Sequence, residues 1–158
     1  MRRFLCLTLF FLMIALAGCG TVGNDRTGFS TKPFTAEIEG TRGELAFSAE
    51  LTVSAGERTI RYTAPESLAG LTATASDDGI RVVQGSLSKQ TPAGSSGLFL
   101  PLDLLTTAAE PTTVQERAGE KVLTYADGTE ILLNADGTPR AVIRSDIMFT
   151  VTDFQTNS

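Results

Sequence analysis

The sequence predicts a mainly β domain, a single antiparallel sheet with one or two short helices on its apolar face. Three observations carry that expectation. From Phe34 onward apolar residues alternate with polar ones, the period of a strand with one dry and one wet side. Turn residues recur between these runs, above all the pairs Asp78-Gly79, Asp127-Gly128 and Asp136-Gly137, which suit hairpin tips. Outside the N-terminus, a helical period is found only around Leu98 to Ala109.

The N-terminal segment, 1–18, has a different character. Arg2 and Arg3 precede an apolar run from Phe4 to Leu16, and small residues then lead to Cys19. That run falls short of the roughly 20 residues a membrane-spanning helix needs, so it reads as an export signal. The tetrad Leu16-Ala17-Gly18-Cys19 resembles the lipobox of bacterial lipoproteins. The resemblance implies that the Cys19 thiol receives diacylglycerol, that Cys19 becomes the mature N-terminus with palmitate-type acyl chains, and that the protein is anchored on the extracytoplasmic face of a cell membrane. Two acyl chains suffice for stable anchoring, where one is marginal. Residues 19–33 have no apolar period and many small polar residues, as expected of a lipidated tether.

The domain itself is expected over 34–158. Its first strand alternates Phe34, Ala36 and Ile38 with Thr35, Glu37 and Glu39, and a turn holding Gly40 and Gly43 follows. In the second strand Leu45, Phe47, Ala49, Leu51 and Val53 form the apolar face opposite Glu44, Ser48, Glu50, Thr52 and Ser54. Ala55-Gly56-Glu57 turns the chain into a strand from Arg58 to Thr63, which Pro65 stops because it has no N–H for the ladder. Strands at Leu71 to Ala75 and Ile80 to Leu87 flank the first Asp-Gly tip.

After the loop Thr91 to Gly97, Leu98, Leu102, Leu105 and Ala109 fall at helical spacing, with Pro101 in the first turn and Pro111 beyond the end. Phe99, Leu100 and Leu104 make this helix apolar on more than one face, so it must be buried, most simply across the dry side of the sheet. Strands follow at Lys121 to Ala126, Thr129 to Asn134, Arg140 to Arg144 and Ile147 to Phe154, giving about nine in all.

Four features of this pattern bear a family likeness: a strand ending in Tyr62-Thr63-Ala64-Pro65, an Asp-Gly turn into the next strand, the step Asp136-Gly137-x-Pro139, and the closing strand from Phe149 to Phe154. With them the domain resembles the half-barrel superfamily of Lol-type lipoprotein carriers and receptors, and small lipoproteins of single-membrane bacteria. The resemblance implies a curved sheet folded around apolar helices, serving either as a hollow for acyl chains or as an interaction module.

Composition removes much chemistry. Net charge is −5, and losing Arg2 and Arg3 with the signal takes 13 basic residues to 11 against 18 acidic ones, or −7. Nucleic acid is therefore not an expected partner, since phosphate recognition needs a cationic surface. Cys6 leaves with the signal, Cys19 is committed to lipid, and the chain has no histidine. Ser-His-Asp and Cys-His nucleophiles, and zinc or haem sites built on His or Cys, have no residues to use. Asp-rich turns suggest calcium, but none continues into the spaced acidic ladder of a calcium loop, so no metal or other cofactor is expected. Ser86-Leu87-Ser88-Lys89 matches Ser-x-x-Lys without the accompanying Ser-Asp-Asn and Lys-Thr-Gly elements. No catalytic residue is assigned, and the protein is expected not to be an enzyme.

Two functional classes remain. In one, Phe47, Leu51, Tyr62, Leu102 and Leu105 line an apolar hollow for a lipid tail or the acyl group of another lipoprotein. In the other, the helix fills that hollow and the sheet or its edge meets an envelope protein. Nine Phe, two Tyr and no Trp are few bulky residues to both line a cavity and fill a core, which favours the second.

Overall fold

The computed structural model describes residues 32–92 and 97–157. Its centre is one curved, unclosed antiparallel sheet of eleven strands. The first six are β1 (Phe34–Arg42), β2 (Leu45–Ser54), β3 (Glu57–Ala64), β4 (Thr72–Ser76), β5 (Gly79–Gln84) and β6 (Leu87–Thr91). The chain then crosses through a 3₁₀ turn, Gly97–Phe99, and a helix α1, Leu100–Leu105. It returns through β7 (Thr113–Arg117), β8 (Glu120–Thr124), β9 (Glu130–Leu133), β10 (Pro139–Arg144) and β11 (Ile147–Thr156). The spatial order β6-β5-β4-β3-β2-β1-β11-β10-β9-β8-β7 is thus two meanders joined in the middle by the first and last strands.

The apolar alternation sets the register. Phe34, Ala36 and Ile38 on β1 lie opposite Val53, Leu51 and Ala49 on β2, and the three β1 residues and Leu51 and Ala49 are buried. Where three strands meet, Gly40 lies between Phe47 on β2 and Phe149 on β11. A Cβ at Gly40 would run into the Met148 carbonyl and Phe149 Cβ. The turn expected there begins only at Gly43, because Gly40 is a strand position where a neighbouring backbone comes close. Register slips leave Thr63, Arg140 and Thr152 without a single partner, and such bulges bend and twist a sheet. One of them falls in the central β1–β11 pair.

Other sequence expectations change in detail. The run Ile80 to Leu87 is not one strand, since the chain turns at Gly85-Ser86, with Gly85 at φ 58°, and comes back as β6. β7, and its hairpin with β8 through Ala118-Gly119, is a strand that the sequence pattern does not announce. The helix stops at Leu105 rather than Ala109: Thr106 gives both its backbone N–H and its hydroxyl to the Leu102 carbonyl, each at 2.9 Å, a side-chain bond that competes with helix continuation. Leu45, assigned to the dry face of β2, is 47% exposed at the strand's start. Asp127-Gly128 and Asp136-Gly137 do lie in the β8–β9 and β9–β10 hairpin tips, whereas the β4–β5 tip is Asp77-Asp78 and Gly79 already pairs with Ser76 as the first residue of β5; φ is positive at the three glycines and not at the aspartates.

Candidate functional site

The crossover between the two meanders is what gives the sheet a site. Residues Gly97 to Leu105 form a strap, fastened to the first meander by three polar contacts. Arg42 Nη1 donates to the Gly97 carbonyl at 3.0 Å, the Tyr62 hydroxyl to the Leu98 carbonyl at 2.8 Å, and Arg58 Nη1 to Asp103 Oδ1 at 2.9 Å. Burial pushes the Tyr62 hydroxyl above its ordinary pKa, opposed by the nearby Arg42 charge. Burial likewise raises Asp103, and the Arg58 guanidinium partly offsets that.

Beneath the strap, Phe47, Leu51, Tyr62, Leu102 and Leu105 all belong to one buried cluster. Leu102, Leu105 and Leu51 have essentially no exposed surface, and the Phe47 and Tyr62 rings meet edge to face with centroids 6.2 Å apart. The side of the strap facing this cluster carries Leu102 and Leu105. Leu100, Asp103 and Leu104 have the spacing of a second helical stripe, whose Leu104 is also buried in the cluster and whose Leu100 packs against it.

That second stripe borders a half-open pocket of about 370 Å³. Its apolar wall is Leu100, Leu104, Ala109, Tyr125 and Ala126, and its polar groups come from Asp103, Thr107, Asp127, Thr129 and Arg144. Asp127 sits at the β8–β9 tip, where its carboxylate accepts from the Thr129 backbone N–H at 3.0 Å and hydroxyl at 2.9 Å. These two bonds hold its pKa below the usual carboxylate value. Arg144 closes a two-pronged pair on Asp146, at 2.6 and 2.9 Å, while its Nη1 stands 3.8 Å from Asp127. Sequence reasoning names none of these pocket residues as a site. The signal that could have found them is the helix's excess apolarity: Leu100 and Leu104 are more grease than packing against a single face requires.

The Ser-x-x-Lys match places Ser86 at the exposed β5–β6 turn and Lys89 on the exposed β6 strand. Cys19, Leu16, Ala17 and Gly18 lie outside the described residues. Among the described residues no group of three or more acidic, His or Cys side chains is placed to hold a metal ion.

No family model and no curated protein matches this chain. Solved structures do. An uncharacterized conserved protein from Thermus thermophilus aligns at 14% identity over 84% of each chain with a TM-score of 0.55, which is a shared fold. Looser likenesses are a LolA superfamily protein from Nitrosomonas europaea, at 10% identity, 80% of this chain, 87% of that one and a TM-score of 0.40, and MucB in the Pseudomonas aeruginosa MucA/MucB complex. The latter aligns at 16% identity over 82% of this chain and 53% of that one, with a TM-score of 0.46.

Proposed function

We propose that this chain is a lipid-anchored envelope protein whose half-barrel works as a non-enzymatic interaction module. The observation that carries the module is the occupied hollow: the strap's own Leu102 and Leu105 are completely buried among Phe47, Leu51 and Tyr62, so the chain supplies the apolar filling that a carrier would take from its cargo. Surfaces left for a protein partner are the two open sheet edges and the outer face. β6 carries Leu87, 75% exposed, and on the outer face Met148, 52% exposed, is paired in register with Ile143. Both edge strands are only five residues long, a length that limits unspecific edge pairing and leaves room for a matched partner. The anchor rests on Leu16-Ala17-Gly18-Cys19 and the apolar run before it.

A second reading is a carrier or receptor for lipids or acylated proteins, and the pocket beside the strap is what favours it. Replacing Leu102 or Leu105 with Trp decides between the two. In the module, either change overpacks the core and costs about 1 to 3 kcal/mol, and a fluorescent fatty acid finds no saturable site under the strap before or after. Saturable binding of the fatty acid by the unaltered protein, lost in the Trp variants at unchanged melting temperature, would establish the carrier instead.

A further inference from the structure

The three Asp-Gly pairs form a comparison within one molecule. Each glycine has a positive φ, 120° at Gly79, 81° at Gly128 and 84° at Gly137, and each stands across its turn from the residue three before it. Gly128 donates its N–H to the Tyr125 carbonyl at 3.0 Å and Gly137 to the Asn134 carbonyl at 2.9 Å, while Gly79 is paired with Ser76. What differs is the residue after the glycine. Thr129 gives its N–H to Oδ1 and its hydroxyl to Oδ2 of Asp127, at 3.0 and 2.9 Å. Thr138 gives both to Oδ1 of Asp136, at 2.9 and 2.6 Å. At the β4–β5 tip that place belongs to Ile80, which has no hydroxyl, and the exposed Asp78 carboxylate has no hydrogen-bond or ion-pair partner among the described residues.

We propose that Asp78-Gly79 is a site of spontaneous isoaspartate formation in the folded protein, and that Thr129 and Thr138 protect the other two Asp-Gly pairs. The Gly79 nitrogen, unshielded by any Cβ, attacks Asp78 Cγ of the protonated carboxyl. The N–Cγ bond forms, the Cγ–OH bond breaks, and the hydroxyl leaves with the amide proton as water, closing a succinimide ring. Water then opens the ring. Attack at the α-carbonyl carbon leaves the chain running through Cγ as isoaspartate, and attack at Cγ restores aspartate, so one water is lost, one is regained and solvent is the only co-reactant. The carboxyl must be protonated and free to turn toward the following nitrogen. Threonine opposes both steps: its bonds fix the carboxylate on Thr129 or Thr138, and they hold Asp127 and Asp136 below the usual carboxylate pKa. Isoaspartate adds one atom to the main chain in a tip closed by Ser76 and Gly79. The next residue, Ile80, is buried in the core cluster, and β5 carries the edge strand β6, so the modification strains this border of the sheet. The assignment does not depend on the anchor or on the filling of the hollow.

The test incubates the full chain for several weeks at mildly acidic pH, natively and in concentrated guanidinium chloride, then digests it with trypsin. Peptide 62–81 holds Asp78, and peptide 122–140 holds both Asp127 and Asp136. Electron-transfer fragmentation locates isoaspartate within each. In the native protein, isoaspartate at position 78 is expected to accumulate about tenfold faster or more than at 127 or 136. In denaturant, where the threonine bonds are lost, the three rates should come to within about twofold of one another. Asp78→Glu, whose longer side chain cannot close the five-membered ring, should remove the product from peptide 62–81 and so separate Asp78 from its neighbour Asp77. Thr138→Val, nearly the same shape without the hydroxyl, should speed isoaspartate formation at Asp136 by about threefold or more while Asp127 stays protected. The proposal is overturned by any of four results: native rates at Asp127 or Asp136 that equal the rate at Asp78, a native preference that survives denaturation, isoaspartate in peptide 62–81 that persists in Asp78→Glu, or an unchanged rate at Asp136 in Thr138→Val. It is overturned as well if the native chain forms no isoaspartate at Asp78 over a period in which the denatured chain does.

Discussion

The tetrapeptide Ala-Asp-Gly-Thr occurs twice, at 126–129 and 135–138, and folds the same way each time. In both copies the threonine returns its N–H and hydroxyl to the aspartate two residues before it, and the glycine takes a positive φ of 81° or 84°. Side-chain closure of this kind is why Asp and Gly are strong turn residues. The β7–β8 tip is built against the same rules. Its two turn residues, Ala118 and Gly119, both have positive φ, 54° and 83°, and left-handed backbone at alanine costs about 1 to 2 kcal/mol. Ala118→Asn supplies the pair this turn prefers and should stabilise the protein by about 0.5 to 1 kcal/mol, read as a rise in melting temperature. Gly119→Ala should lower it by a comparable amount or more. The same residue explains a failure of sequence reading, since alanine gives no turn signal for the hairpin it closes.

Among the elements, the ones legible in the sequence are those with two different faces. β1, β2 and β3 alternate buried and exposed residues, so their period reports the core directly. β6 has no buried side chain and β7 has none either. An edge strand that contributes at most one half-buried side chain, as β7 does with Val114, has no apolar period, and charged or polar residues there guard against unwanted pairing, so the two strands missing from the sequence reading are the two edges. The helix is legible as apolar but not in length, because Thr106 ends it through its own hydroxyl. Register in the middle of the sheet is open to a direct check. Leu51→Asp puts an unpaired charge into the core and should cost on the order of 3 kcal/mol or more. Its neighbour Glu50 is exposed and pairs with Arg61 at 3.2 Å, so Glu50→Ala should cost under about 1 kcal/mol. Equal losses in urea denaturation at the two sites would contradict the assigned faces.

At the scale of the whole molecule, the expected tether leads directly into β1, which lies at the middle of the sheet and not at its rim. Cys19→Ser should abolish incorporation of labelled palmitate and release the protein from the membrane fraction; continued labelling would rule out anchoring at that cysteine. The site is only partly readable because it is assembled from distant segments: Leu100 and Leu104 from the strap, Asp127 from a hairpin tip and Arg144 from the end of β10, with no spacing in sequence that links them. The pairing of β1 with β11, Phe34 opposite Thr156, carries a further meaning when the molecule is considered in time. β1 leaves the ribosome first of all the strands and β11 last, and each is the other's neighbour. Until β11 arrives, the growing polypeptide holds two half-sheets with their inner borders bare, so completion of the sheet waits for the last of the described strands. Were the chain threaded through a membrane in extended form, this pairing would keep the sheet open until β1 and β11 had both reached the same compartment.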